Sequence, residues 1–165
     1  RFATAAVRAR GPQEAAQAHQ RFMDEVIRPR IQPQALALVQ THQRAGDVVM
    51  IVTATNEFVT RPIAKALGVN ELIAVELERD ATGWFNGEIK GTPSMREGKV
   101  TRLQQWLQTQ GLSWETVHTT FYSDSRNDLP LLHRVTQAVA TNPDDTLRQV
   151  AQDKGWPILD LFPKQ

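Results

Sequence analysis

The chain has 165 residues, of which 41% are hydrophobic and 22% are charged, and its 19 Lys plus Arg nearly balance its 18 Asp plus Glu. This length allows one domain with a core, or a core domain with a small insert, and a net charge of +1 gives no electrostatic reason to expect binding to nucleic acid or anionic lipid. Cysteine is absent, which excludes disulfides and thiolate sites, and no apolar run reaches the roughly 18 residues of a membrane span, so we expect a cytoplasmic protein.

Two helices are predicted within the first 45 residues. A proline-containing segment ends the first helix, predicted over residues 14–28, and a second helix is predicted over residues 34–44, closed by Gly46. In the first helix apolar residues recur at steps of three or four, at Ala15, Ala18, Phe22 and Val26. No strand pattern falls between the two helices, so we place a domain boundary at Gly46.

After Gly46 the sequence alternates strand and helix patterns. The apolar run 48–53 predicts a strand buried on both faces of a parallel sheet, and the next helix is expected to have Thr60 as its N-cap and Pro62 in its first turn. A hairpin is predicted around Asn86-Gly87. Further strands are predicted at 72–77, 117–122, 137–140 and 157–161, and further helices at 97–110, 128–134 and 144–154. This alternation indicates a mainly parallel α/β sheet.

Polar residues after the apolar runs are the candidates for a site, because ligands of open α/β sheets bind beyond the carboxyl ends of the strands. Residues 53–56 suit a phosphate at a helix N-terminus, although they could equally form an ordinary strand-to-helix turn. Asp124 and Asp128 suit Mg²⁺, but either could instead cap the helix that follows. Lys99 opens a helix, where a cation opposes the helix dipole, so it either serves a site or lies in solvent.

Taken in this order, the clusters resemble the motifs of the haloacid dehalogenase (HAD) superfamily of phosphatases. Val52-Thr53-Ala54-Thr55 resembles the second motif, Gly98-Lys99 the third, and the segment from Ser123 to Asp128 the fourth. The surrounding sequence is similar to subfamily IB, the phosphoserine-phosphatase-like branch. The resemblance covers about residues 20 to 162.

The resemblance implies a HAD-like Rossmannoid core over residues 46–165, with a mainly parallel sheet flanked by helices, and a small helical cap to which residues 1–45 contribute. It also implies Mg²⁺-dependent hydrolysis of a small phosphorylated metabolite through an aspartyl-phosphate. Asp124 would bind Mg²⁺, and Asp128 would support that site directly or through water. The residues implied to bind the substrate are Thr53, Ala54, Lys99 and Asn127, of which Thr53, Lys99 and Asn127 are also implied to be catalytic.

The family's first motif, an Asp-x-Asp that supplies the nucleophile, does not occur in residues 1–165. The chain opens at Arg1 and its first methionine is Met23, so we expect a segment upstream of Arg1 to carry this motif and the first core strand. Two alternatives stay open from the sequence. The chain could be a non-catalytic module that binds phosphate or a metabolite, or a phosphotransferase that passes the phosphoryl group to an alcohol.

Overall fold

The computed structural model describes residues 2–163, and it confirms the mainly parallel α/β architecture. The helices are α1 (Phe2–Phe22), α2 (Pro33–Arg44), α3 (Glu57–Ala66), α4 (Glu97–Thr109), α5 (Leu129–Leu132) and α6 (Asp145–Lys154), with a π turn at Met23–Ile27 and 3₁₀ turns at Arg28–Arg30 and Arg126–Asp128. The strands are β1 (Met50–Asn56), β2 (Glu71–Val75), β3 (Leu77–Arg79), β4 (Phe85–Ile89), β5 (Thr120–Ser123), β6 (Gln137–Thr141) and β7 (Ile158–Leu159).

The first helix differs from the helix predicted over residues 14–28. It begins at Phe2, bends at Gly11, where φ is 71°, and gives way at Met23 to the π turn and then to a 3₁₀ turn. Pro29 lies in that 3₁₀ turn and has no backbone N–H to continue an α-helical ladder, which explains the change of pitch. The second predicted helix is confirmed, with one residue added at its start.

The chain forms two compact units, Arg1–Pro93 and Ser94–Gln165. In the first, β1 and β2 pair in parallel, with Ile51 opposite Leu72, and α3 packs against both strands. The expectation that the first strand is buried on both faces is wrong, because β1 is half-buried and its last residues are partly exposed. A two-stranded sheet covers its members less than a wide sheet does. The predicted division into a cap over residues 1–45 and a core from residue 46 stays a prediction.

The start of α3 corrects the cap predicted at Thr60. Asn56 is the N-cap, because its side-chain oxygen accepts a hydrogen bond from the backbone N–H of Val59 at 3.1 Å. The Thr60 hydroxyl instead donates back to the Asn56 carbonyl oxygen at 2.9 Å. Pro62 is therefore inside the helix rather than in its first turn. The helix begins at Glu57, directly after the last residue of β1.

The hairpin also corrects the sequence prediction. Asn86-Gly87 lies inside strand β4, and the turn falls earlier, between β3 and β4. One carboxylate oxygen of Asp80 accepts hydrogen bonds from the backbone N–H and the hydroxyl of Thr82, at 2.8 and 2.6 Å. Gly83 provides the positive φ of 80° that the turn requires. The Asp80 side chain therefore fixes the turn between β3 and β4, and Asn86-Gly87 does not form it.

The second unit is a parallel three-stranded sheet in the order β5-β6-β7. Its core is a cluster of buried side chains from α5, β6 and α6: Leu132, Ala138, Ala140, Leu147 and Ala151. Small residues on β6 let α6 lie close to the sheet. Helices α4 and α5 pack against each other, which brings the start of α4 to the residues that follow β5. Within the described residues, no helix has the length and apolar character needed to cross a membrane.

Candidate functional site

A buried ion pair is the centre of the candidate site in the second unit. The Lys99 Nζ lies 2.5 Å from Asp128 Oδ1, and the two side chains are 8% and 11% exposed. The other carboxylate oxygen, Asp128 Oδ2, accepts a hydrogen bond from the Ser123 hydroxyl at 2.7 Å. A buried carboxylate and ammonium are retained only when each is paired, so these three residues form a single polar unit inside an apolar core.

The Lys99–Asp128 pair decides two alternatives that the sequence left open, namely Lys99 as a residue in solvent and Asp128 as a helix cap. Lys99 is buried, so the reading of Lys99 as a solvated surface residue is wrong. Asp128 makes no side-chain cap to α5, whereas Ser125 caps the 3₁₀ turn by accepting from the Asn127 backbone N–H at 3.2 Å. Asp128 is therefore a partner of Lys99 rather than a helix cap.

Lys99 keeps hydrogen-bonding capacity despite this pairing. An ammonium group carries three donors, and the contact with Asp128 uses one of them. The nitrogen also lies 5.9 Å from the centroid of the Phe121 ring, on the strand that leads to the site. The position of Lys99 in the first turn of α4 would be unfavourable for a free cation, and the neighbouring carboxylate offsets that cost.

Asp124 differs from Asp128, because its side chain is exposed at the end of β5. Its backbone carbonyl accepts a hydrogen bond from the Asp144 N–H at 2.8 Å, which ties the residues after β5 to the residues after β6. The hydroxyl of Thr141, one residue past the Ala140 that pairs with Ser123, is buried without a hydrogen-bond partner among the described residues.

These oxygen donors fit a hard cation such as Mg²⁺, which takes one or two protein carboxylates and keeps several waters. Asp124 offers an exposed carboxylate, and both oxygens of Asp128 are already engaged by Lys99 and Ser123. Among the described residues no three His, Cys, Asp or Glu side chains form a cluster that could enclose a metal. The assignment of Asp124 and Asp128 to a metal therefore stays a prediction.

Asp144 holds the loop that carries Asp124 and Asn127. One of its carboxylate oxygens accepts from the Arg126 backbone N–H at 2.9 Å, and the other accepts from the Leu147 N–H at 2.8 Å. Burial acts to raise the pKa of Asp144, but these backbone hydrogen bonds outweigh it, so the pKa lies below its ordinary value. The contact with Arg126 spans 18 residues, so no local sequence pattern indicates it.

Replacing Asp144 with alanine is expected to lower the free energy of unfolding by about 1–2 kcal/mol at pH 7, since the variant lacks the N-cap of α6. The lowered pKa makes this stabilisation present above the unfolded-state pKa of about 4, and it is lost as the pH falls through the folded-state value. Urea denaturation at pH 7 and pH 3 measures both effects. Asp145→Ala, an exposed neighbour, is the control, and equal losses in the two variants at pH 7 would contradict the role of Asp144.

Thr53 and Ala54 belong to the first unit, at the end of β1. The Thr53 hydroxyl oxygen accepts a hydrogen bond from the Thr55 backbone N–H at 3.1 Å, in the stretch between Val52 and Asn56 where the pairing of β1 with β2 is irregular. Ala54 and Thr55 are exposed, and Asn56 then caps the helix. The substrate-binding roles of Thr53, Ala54, Lys99 and Asn127 stay predictions.

Sequence analysis missed Ser123 as a member of the site. It identified the segment that contains this residue but gave it no role of its own, although it is buried and contacts Asp128 directly. A signal was present, since a serine at the last position of an apolar strand needs a polar partner once it is buried. The partner five residues later could be found only from the fold.

The sequence profile of the haloacid dehalogenase-like hydrolases matches residues 1–133. A histidinol-phosphatase from Neisseria meningitidis is 45% identical over 150 residues, which cover 90% of this chain and 68% of that protein. The phosphoserine phosphatase SerB1 of Mycobacterium tuberculosis is 34% identical over 161 residues, but this chain spans only 51% of its length.

Solved structures show the same fold. A Bordetella pertussis protein of unknown function is 51% identical and superposes with a TM-score of 0.88 over 92% of this chain and 68% of that one. A substrate-bound phosphoserine phosphatase superposes with a TM-score of 0.57 at 19% identity, over 76% of this chain and 56% of that one. The second likeness concerns the fold alone.

Proposed function

Because the chain belongs to the haloacid dehalogenase-like hydrolases, we propose that it functions in a phosphomonoester hydrolase whose substrate is a small phosphorylated metabolite. The single observation that carries this proposal is the buried Lys99–Asp128 pair, with Ser123 on the second carboxylate oxygen. A fixed ammonium with remaining donors can stabilise the charge of a transferring phosphoryl group.

The proposed roles follow from what each side chain can do. Lys99 neutralises phosphoryl oxygens with the donors that Asp128 leaves free, and Asp128 with Ser123 fixes its position. Asn127 donates a hydrogen bond to the same group, and Thr53 is proposed as a phosphate-binding residue of the first unit. Asp124 would hold Mg²⁺, which would offset part of the negative charge of the phosphoryl group. The covalent step is assigned to an Asp-x-Asp segment, which residues 1–165 do not contain.

The resemblance to the neisserial histidinol-phosphatase supports a phosphorylated amino alcohol as the substrate. Phosphoserine is the second candidate, because the mycobacterial relative is a phosphoserine phosphatase, although its identity to this chain is lower. Both are small monoesters whose leaving group carries a cationic nitrogen. We propose cytoplasmic metabolism as the setting.

Product analysis of the full-length protein tests this function. The reaction mixture contains histidinol phosphate, Mg²⁺ and an added acceptor alcohol such as glycerol at increasing concentrations. We expect inorganic phosphate as the product, in an amount equal to the histidinol released. A phosphorylated acceptor would instead indicate a phosphotransferase. Phosphate binding by calorimetry without any turnover would contradict the hydrolase and indicate a binding module.

A further inference from the structure

A cavity of about 390 Å³ lies wholly within the first unit, between α1, α3 and the hairpin of β3 and β4. Its volume is in the range of pockets that hold small organic molecules. The residues that give it chemical character are His19, Glu57, Phe58, Arg61, Arg79 and Phe85. None of them was assigned a function from the sequence.

Aromatic rings form one wall of this cavity. The ring of Phe58 meets that of His19 edge-on at a centroid distance of 5.2 Å and that of Phe85 at 5.6 Å. His19 Nε2 lies 3.2 Å from the Val59 carbonyl oxygen, which fixes that nitrogen as the donor. The Arg79 guanidinium carbon lies 4.6 Å from the Phe85 ring centroid, so this wall already holds one cation against an aromatic face.

Glu57 brings a carboxylate to the same cavity. Its side chain is 16% exposed, and its one hydrogen bond among the described residues comes from the Leu77 backbone N–H at 3.4 Å. Arg61 and Arg79 form ion pairs with this carboxylate, but their nearest nitrogens lie at 3.6 and 3.9 Å from it, beyond hydrogen-bond length. The carboxylate is therefore largely desolvated and still has accepting capacity.

The charge of the cavity could favour either a cation or an anion. Arg61 and Arg79 are 65% and 52% exposed, so water already solvates both guanidinium groups and an anion gains little from them. Glu57 is mostly removed from water and gains more from a new partner. A desolvated carboxylate beside aromatic rings recognises an ammonium or imidazolium group.

The cavity is also close to Thr53, the one residue of the same unit that is proposed to bind the phosphoryl group. Glu57 follows Thr53 by four residues, and an extended chain spans at most about 13 Å over that distance at roughly 3.3 Å per residue. A small amino alcohol phosphate can bridge a gap of this order, with its phosphate at Thr53 and its nitrogen at Glu57.

We infer that this cavity binds the cationic nitrogen group of the substrate's leaving alcohol, with Glu57 as its counter-ion and the rings of Phe58 and Phe85 beside it. This inference rests on the proposed phosphatase function. Glu57 is thereby a specificity-determining residue, while the phosphoryl chemistry belongs to the other residues described above.

The test compares two esters in the full-length protein: histidinol phosphate, whose leaving group is cationic, and phenyl phosphate, whose leaving group is uncharged. In Glu57→Gln the ratio of kcat/KM for histidinol phosphate to that for phenyl phosphate is expected to fall at least tenfold, mainly through a higher KM. Glu14→Gln on α1 is the matched control, because it removes the same charge from an exposed acid outside the cavity.

The outcomes separate this inference from the proposed function. An unchanged ratio in Glu57→Gln overturns the role of the cavity while the phosphatase stands. If the wild-type protein hydrolyses neither ester, the proposed function fails, and calorimetric titration with histidinol then decides the inference. Binding at least tenfold weaker in Glu57→Gln supports it, and equal or absent binding in both proteins overturns it.

Discussion

Replacing Lys99 with methionine is expected to lower phosphate release from histidinol phosphate by about two to three orders of magnitude, the size of effect seen when a fixed transition-state donor is removed. The free energy of unfolding is expected to fall by about 3–5 kcal/mol at the same time, because Asp128 is left buried without its counter-ion. Both effects come from one atom, the Nζ that lies 2.5 Å from Asp128 Oδ1.

A second substitution separates the two effects. In the double variant Lys99→Met with Asp128→Asn, the buried charge is gone, so most of the stability should return while activity stays low. Steady-state phosphate release and urea denaturation measure the two quantities. Lys90→Met is the control, because its partner Glu76 is at 4.0 Å on the surface and the pair contributes little. Wild-type rates in Lys99→Met would contradict the proposed role.

Asp124→Asn is expected to lower phosphate release at least about 100-fold, because a metal ligand contributes several kcal/mol to stabilisation of transition-state charge. The free energy of unfolding should stay within about 0.5 kcal/mol of the wild type, since the Asp124 side chain is exposed and the backbone contact to Asp144 is retained.

The Mg²⁺ dependence of activity in the same variant distinguishes a metal ligand from a residue with a structural role only. The Mg²⁺ concentration for half-maximal activity should rise in Asp124→Asn, measured by titration of the chelated protein. Asp145→Asn, an exposed acid in the first turn of α6, is the control and should keep the wild-type Mg²⁺ dependence. Equal Mg²⁺ dependence in Asp124→Asn and the wild type would contradict the assignment of this residue to the metal.

The order of the elements could be predicted from the sequence because hydrophobic periodicity is a local signal. The strands near 120 and 137 and the helices near 97 and 145 occur where the apolar pattern placed them. The family was recognisable because two of its motifs follow apolar strands and the third opens a helix, and these positions can be located from local patterns. Lys99 and Asp128 could each be predicted as a site residue in this way, but their contact could not.

The contacts between distant residues could not be predicted. Asp128 is 29 positions from Lys99, and only the packing of α4 on α5 joins them. The wrong predictions of the α3 cap and of the hairpin turn have a similar cause, because a single side-chain hydrogen bond determines each feature. Asn56 outcompetes Thr60 as the cap of α3, and Asp80 fixes the hairpin turn ahead of Asn86-Gly87. Several residues can form such hydrogen bonds, and tertiary context selects one of them.

Phosphate release by the full-length wild-type protein, with Mg²⁺ and again after chelation with EDTA, tests the central claim most directly. Histidinol phosphate is the substrate, and inorganic phosphate is followed over time. For a Mg²⁺-dependent phosphatase we expect turnover with Mg²⁺, loss of turnover after chelation, and its return when Mg²⁺ is restored. Absence of turnover in every condition, or turnover that chelation leaves unchanged, would contradict this function.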